Sequence, residues 1–250
     1  MGGRSIALVT GGGRGIGAAT ARLLAREGYD VCVNYAGDRA SAEAVAADCR
    51  QAGVRAFTHA ADIAEPAAVT GLFAACDREL GPVSHLVNNA GIIGGATRVD
   101  AIAPETIGRV FAVNVTGTIL CAQAAIRRMG RRHGGRGGAI VNLSSVAATL
   151  GSPGEYVHYA ASKAAVDTFT VGLAKEVGSD GIRVNAIQAG TTDTEIHRRS
   201  GNPDRPAAVA RSAPLGRAAT PDDIAEAIAW LLSDKAAYVT GAILRVGGGL

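Results

Sequence analysis

Aromatic residues make up only 4% of this 250-residue chain, so a core has to be built from Ala, Val, Leu and Ile. Charge of one sign is equally scarce. Twenty-five Lys and Arg against 22 Asp and Glu leave +3, too balanced for an electrostatic nucleic-acid footprint. Charged residues are 19% and apolar ones 48%, which excludes intrinsic disorder. The 34 glycines show no three-residue period, so collagen is excluded and they belong to turns and close backbone approaches. No uninterrupted apolar run approaches the roughly 18 residues of a membrane span. Residues 1–13 hold one arginine and a short apolar run ending in glycines, a buried strand rather than a signal peptide. Cysteine is sparse and unpaired in spacing: Cys32, Cys49, Cys76 and Cys121 lie in separate segments. They read as small apolar fillers in a reducing compartment, not as disulfides or metal ligands. The sequons at Asn114 and Asn142 then carry no glycosylation. The expectation is a soluble cytoplasmic protein that touches neither membrane nor nucleic acid.

Short β-branched runs alternate with Ala-rich amphipathic stretches throughout. Strands are predicted at 5–10, 30–34, 54–58, 85–88, 139–143, 182–187 and 242–246. Helices are predicted at 15–27, 39–51, 66–80, 104–129, 156–177 and 221–232. Pro66 and Pro221 stand at first turns, and Gly28 and Gly53 just past helix ends. Such alternation means parallel βαβ units, and continuously apolar strands mean a sheet covered on both faces. The predicted fold is α/β: one doubly wound parallel sheet of about seven strands, in a single domain spanning 1–250. Two stretches break the pattern, 131–138 and 191–219. The second is long, polar and rich in Pro, Gly and Arg, the composition of a mobile substrate lid.

Between the first strand and first helix runs Thr10-Gly11-Gly12-Gly13-Arg14-Gly15-Ile16-Gly17. Glycine turns often serve only close packing. In this position they also let a backbone approach a pyrophosphate seated on a helix N-terminus. No Gly-Lys-Ser/Thr follows, which argues against a nucleoside-triphosphate loop. An acidic residue closing the second strand would accept the ribose hydroxyls of NAD and repel a 2′-phosphate. Here Asn34, Tyr35 and Ala36 stand there, with no carboxylate until Asp38. Arg14, and more weakly Arg39, could meet a phosphate instead. The reading is NADP(H) in preference to NAD(H).

Tyr159 and Lys163 stand four residues apart on one predicted helix, which puts phenol and ammonium on the same face. The cation is expected to lower the phenol toward its working range. Alone, such a pair is usually an ordinary surface pair. Around it, however, Ser144-Ser145 and Asn88-Asn89-Ala90-Gly91 each end a predicted strand, where parallel sheets present ligand-binding groups. Asn114 lies within an apolar helix, where a buried amide needs a partner.

With these motifs in order and spacing, the chain resembles a single-domain short-chain dehydrogenase/reductase from end to end. Within that family it is most similar to bacterial β-ketoacyl-acyl carrier protein reductase-like and glucose 1-dehydrogenase-like members. The resemblance implies a catalytic set of Asn114, Ser145, Tyr159 and Lys163. Tyr159 would exchange a proton with the substrate oxygen, and Lys163 would lower its pKa and hold the nicotinamide ribose. Ser145 would polarise the substrate oxygen, and Asn114 would hold a water linking Lys163 to solvent. Gly11, Gly13, Arg14, Gly15, Ile16 and Gly17 would cradle the cofactor phosphates, and Asn34, Tyr35 and Ala36 would flank the adenosine. Asp62 would touch the adenine with Ile63 beside it, and Asn89, Ala90 and Gly91 would line the adenosine side. Gly190 and Thr192 would lie at the nicotinamide.

Ser145 is preferred to Ser144 because strand side chains alternate and only one of the two can face the site. Ala189-Gly190 after Gln188 replaces a usual Pro-Gly, which is expected to loosen that turn; Gly247-Gly248-Gly249 replaces a usual Asp-Gly-Gly. The basic run Arg127, Arg128, Arg131, Arg132, His133 and Arg136 is a solvated helix end or, by resemblance, a docking patch for an acyl carrier protein. His85, His158 and His197 lack ligand spacing, and no metal is expected. The helices beginning near Pro104 and Tyr156 resemble the family's subunit contacts, implying a homotetramer. The function expected is an oxidoreductase acting on a small-molecule carbonyl or secondary alcohol. The alternatives are a glucose-type sugar dehydrogenase and, from another class, a non-catalytic dinucleotide sensor, which would be expected to lack the proton-transfer residues. A hydrolase is disfavoured by the absence of a Gly-x-Ser-x-Gly elbow.

Overall fold

Seven strands form one parallel sheet: β1 (Ile6–Val9), β2 (Asp30–Tyr35), β3 (Ala56–Ala60), β4 (His85–Asn88), β5 (Gly138–Ser145), β6 (Ile182–Ala189) and β7 (Ile243–Val246). Their order is β3-β2-β1-β4-β5-β6-β7. The structure is a computed structural model that describes residues 4–196, 201 and 204–250. The helices are α1 (Gly15–Arg26), α2 (Arg39–Gln51), α3 (Pro66–Glu79), α4 (Pro104–Phe111), α5 (Thr118–Met129), α6 (Ala147–Leu150) and α7 (Val157–Val177). A short helix at Arg205–Ala210 and a last one at Pro221–Leu232 follow.

Alternation along the strands explains why both faces are covered. Ala7 and Val9 of β1 pack into the core that includes residues of α1, α2 and the last helix, while Ile6 and Leu8 pack into the core with α3, α5 and α7. Leu8, Leu86, Ile140 and Ile187 are fully buried, each contributing roughly 1.5–3 kcal/mol of transfer free energy. The chain winds outward from β1 in one direction and from β4 in the other. A crevice therefore opens at the carboxyl ends of these two neighbouring strands. The four cysteines are free and buried; burial pushes the Cys49 thiol up to about 11 and that of Cys121 up to about 12. Both are inert fillers.

Where the sequence predicts one helix over Pro104–Met129, the structure has two α-helices joined by a wider π-helical turn, Ala112–Gly117. The cause is Asn114. Its amide reaches Ile92, and the Thr118 hydroxyl donates to the Asn114 carbonyl at 2.8 Å, capping a group that the wider turn loosens. Gly117 closes against Ile63, where a Cβ would come within 2.7 Å of its side chain. By length and composition Pro104–Met129 is also apolar enough to cross a bilayer, which a search for uninterrupted runs passes over. Here Cys121, Ala122, Ala125 and Met129 lie in the core with α3 and α7.

The basic run is partly spent within the molecule. Arg128 Nη2 lies 2.6 Å from Asp77 Oδ2, and Arg132 pairs with the buried Asp180. In the expected lid, 197–200 (including His197) and 202–203 lie outside the described residues. Its two ends are pinned together: Thr192 bridges Ala219, Asp193 N–H donates to Ala219 O at 2.8 Å, and Ala219 N–H donates to Thr191 O at 3.0 Å. Further along, Leu215 N–H donates to Gly248 O at 3.1 Å.

Candidate active site

The crevice is a cleft of about 1010 Å³ running from the glycine loop to the ends of β5 and β6. At one end Gly11 has φ +61° and Gly15 φ +51°, left-handed conformations that favour glycine. A Cβ at Gly11 would lie 3.0 Å from Ala90 Cα. The loop is braced from below. Thr10 Oγ1 accepts from Asn89 N–H at 3.0 Å and Ala90 N–H at 3.1 Å, and Asn89 Nδ2 donates to the carbonyls of Thr10 and Gly11 at 2.9 and 3.0 Å. Helix α1 begins at Gly15 with no side-chain cap, so its first N–H groups suit an anion. The loop fits a dinucleotide pyrophosphate.

Gly11, Gly13, Arg14, Gly15 and Ile16 line the cleft, but Gly17 does not. A Cβ on Gly17 would lie 2.4 Å from Gly11 O and 2.5 Å from Asn89 Nδ2; its part is to let α1 pack under the loop. Asn34 lines the cleft with its amide already committed. Oδ1 accepts from Gly11 N–H at 3.3 Å and Nδ2 donates to Ala61 O at 3.0 Å, which ties the loop to the strand ends. Tyr35, Ala36, Asp62, Ile63, Asn89, Ala90 and Gly91 line the same half.

Asp38, beyond the predicted contact positions, also lines it. Its carboxylate caps α2 through Ser41 N–H at 3.0 Å and stands 3.5 Å from Arg14 Nη1, which is equally 3.5 Å from Glu195 Oε2. The Ser41 hydrogen bonds, with Arg14, hold the Asp38 carboxyl below its ordinary range. Arg39 is exposed and outside the lining. Burial alone would raise the Asp62 carboxyl, but Ala64 N–H and the Arg109 guanidinium, 2.6 Å away, bring it below its usual value.

At the other end Tyr159 and Lys163 stand one turn apart on α7. Lys163 is buried, its Nζ donating to Leu143 O at 2.6 Å and lying 5.7 Å from the Tyr159 ring centroid. The two serines ending β5 diverge. Ser145 lines the cleft with Tyr159, its Oγ accepting from Ala147 N–H at 3.1 Å; Ser144 Oγ turns away, to Lys163 O at 3.3 Å. Burial pushes the phenol up to about 12, against the pull of Ser145 and Arg205. Burial also lowers the Lys163 ammonium to about 8, against the pull of Asp167. The expected lowering of the phenol by Lys163 is thus reversed: desolvation dominates, and the ammonium is aimed at a carbonyl rather than at the phenol oxygen.

Asn114 sits wholly buried in the π turn. Its Oδ1 accepts from Ile92 N–H at 2.8 Å, and Nδ2 donates to Ile92 O at 2.9 Å and Ser162 Oγ at 3.0 Å. One Oδ1 lone pair remains for the water that the resemblance assigns to it. Gly190 and Thr192 line the cleft. The turn at Gly190 is tied rather than loose: β6 continues through Ala189, Gly190 N–H donates to Val246 O at 2.8 Å, and a Cβ at Gly190 would lie 2.8 Å from Gly247 Cα.

Sequence reasoning passed over Arg205, Tyr156 and Arg109. Arg205, from the short helix Arg205–Ala210, bonds Glu155 Oε2 at 2.5 Å and lies 5.0 Å over the Tyr156 ring, which meets Tyr159 edge-on at 5.7 Å. Tyr156 is three residues from Tyr159 and was open to a helical-face argument. Nothing local marks Arg205.

A family model described as Enoyl-(Acyl carrier protein) reductase matches residues 11–250. The Escherichia coli (strain K12) protein named uncharacterized oxidoreductase YgfF is 51% identical over 98% of this chain and 99% of its own length. The 3-oxoacyl-[acyl-carrier-protein] reductase FabG of Staphylococcus aureus is 38% identical over 98% of this chain and 97% of its own. Among solved structures, a blue fluorescent protein from a metagenomic library, in complex with NADPH, matches with TM-score 0.89 and 35% identity over 99% of this chain and 98% of that one.

Proposed function

The chain belongs to the short-chain dehydrogenase/reductase family and is an NAD(P)-dependent oxidoreductase, and on that premise we propose that it moves a hydride between NADP(H) and a carbonyl or secondary alcohol, with Tyr159 as acid and base. The carrying observation is the meeting of Ser145, Tyr159 and the buried Lys163 in one wall of the cleft, at the far end from the glycine loop.

The nicotinamide supplies a hydride to the carbonyl carbon. In that direction Tyr159 gives its hydroxyl proton to the carbonyl oxygen, and Ser145 holds the same oxygen by a hydrogen bond. The Lys163 ammonium stabilises the phenolate left behind, and Tyr159 takes its next proton from solvent. Alcohol oxidation reverses each step. A phenol pushed up to about 12 holds its proton at neutral pH, as reduction requires. Segment 191–219 serves as the substrate lid in this reading. A panel of ketones, β-keto thioesters and sugars, followed by NADPH absorbance, tests the reaction class. Inactivity on every carbonyl and alcohol, with NADPH bound, would leave the dinucleotide-sensing alternative.

Preference for NADP(H) is supported by the absence of a carboxylate at 34–37 and by Arg14 in the cleft. The NADPH held by the 35%-identical structure adds to that support. Asp38 and Glu195 compete for the guanidinium, so the preference is moderate. Titrations should give tighter binding of NADPH than NADH, and Arg14→Ala should shrink the ratio about tenfold, the loss of one charge-assisted contact. Equal or tighter NADH binding by the unaltered protein overturns this.

The assembly is proposed to be a homotetramer through α4, α5 and α7. Light scattering at micromolar concentration should give four times the mass of the chain; a monomer contradicts it.

A further inference from the structure

We propose that Asp167 is a positioning residue for the reaction: a half-buried counter-charge, fixed by Gln188 and Arg245, that keeps the Lys163 ammonium protonated. The proposal rests on the reading of Lys163 as the cationic support of Tyr159. Asp167 follows Lys163 by four residues on α7, and so lies on the same face one turn along. Its Oδ2 accepts from Gln188 Nε2 at 2.7 Å. Its Oδ1 is buried and, among the described residues, accepts no hydrogen bond. Lys163 has three N–H donors, of which Leu143 O takes one. A buried, orphaned carboxylate oxygen and a partly satisfied buried ammonium thus stand one turn apart on α7, near enough to act on each other through space although they form no direct ion pair.

The tether is built across three elements. Gln188 pairs in register with Ser144, whose hydroxyl bonds the α7 backbone, so both side chains face α7. Gln188 Oε1 accepts from Arg245 Nε at 3.4 Å, and Arg245 is itself held by Thr149 and by Leu250 O. The Gln188 that precedes Ala189-Gly190 in the sequence thereby gains a reason to be polar. Around Lys163 the other elements present Leu143 O from β5, Asn114 from the π turn and Gly91 from the loop after β4. None of these titrates near neutrality. On α7 the titratable neighbours are Tyr159 and Asp167, and Arg205 acts on the phenol. Asp167 is the carboxylate that opposes the effect of burial on Lys163.

The chain has three lysines, Lys163, Lys175 and Lys235, so ¹³Cε-lysine NMR reads each one directly in the protein without cofactor. Lys163→Arg identifies its signal. In Asp167→Asn the Lys163 midpoint should fall by about one pH unit, the effect of removing a nearby opposite charge. The upper limit of the rate–pH profile should move down with it. Gln188→Met, which releases the tether, should move the midpoint the same way by less. An unmoved or raised midpoint in Asp167→Asn overturns the proposal; if that variant does not fold, an unmoved midpoint in Gln188→Met does so. A lowered midpoint with an unmoved rate profile upholds the counter-charge and removes the Lys163–Tyr159 reading instead.

Discussion

Tyr159→Phe should cut turnover at least about 10²–10⁴-fold, the usual worth of a positioned proton donor, while NADPH affinity stays within a few-fold. The substitution removes one oxygen and keeps the ring, so the edge-on contact with Tyr156 and the path of α7 survive. Ser145 keeps its own hydrogen bond. That contact, with Ala147 N–H, holds the end of β5 in place. The companion pair separates the two serines. Ser145→Ala removes a donor from the reacting oxygen and should depress turnover. Ser144→Ala removes a 3.3 Å bond to the α7 backbone and should act on thermal stability instead. Turnover on any accepted carbonyl, with cofactor titration of each variant, decides the matter. Near-wild-type turnover in Tyr159→Phe would eliminate the assigned mechanism and leave the dinucleotide site intact.

Gly17→Ala is expected to lower melting temperature and cofactor affinity together. The new methyl would meet Gly11 O at 2.4 Å, Asn89 Nδ2 at 2.5 Å and Gly12 Cα at 3.0 Å. None of these yields easily. Gly11 O is already the acceptor for Asn89 Nδ2, so shifting either atom breaks the brace beneath the loop. Overpacking of this kind typically costs about 1–3 kcal/mol, or roughly 2–4 °C per kcal/mol at this chain length. Because the displaced atoms belong to the phosphate loop, affinity should drop about tenfold or more. Gly71→Ala is the control. That position lies within α3 with nothing within 4 Å of a Cβ, and the substitution should be neutral or stabilising by roughly 0.5–1 kcal/mol. Unchanged melting and affinity in Gly17→Ala would refute the packing argument.

What the sequence made legible was local. Thr10 to Gly17 declares a strand–turn–helix through glycine spacing, and Tyr159 with Lys163 declares a helix face through a four-residue step. Each strand end that reaches the cleft also carries its own polar residues. What stayed hidden depends on contacts between distant segments. That Asn34 spends its amide on Gly11 and Ala61, or that Arg205 crosses fifty positions to reach Glu155, follows from packing alone. The Tyr159 phenol was misjudged for the same reason: its neighbour in sequence is a cation, but the packing around it in space raises it more than that cation lowers it. The π turn was invisible because Ala112–Gly117 lies between two helical stretches, and its Val, Asn, Thr and Gly mark a weak helix without marking its pitch. Only the reach of Asn114 to Ile92 exposes it.

That turn also gives the helical stretch a fixed phase. An α-helix advances about 100° per residue. Deleting one residue of α4 after Arg109, with the wide turn kept, would wind Arg109 about 100° relative to α5. Arg109 would swing away from Asp62, so the glycine-loop half of the cleft would lose a wall in one stroke. Substitutions along the stretch act on one contact each, whereas a change in its length acts like a slipped gear. In this chain the count of residues between Pro104 and Met129 is therefore as much a part of the site as their identities.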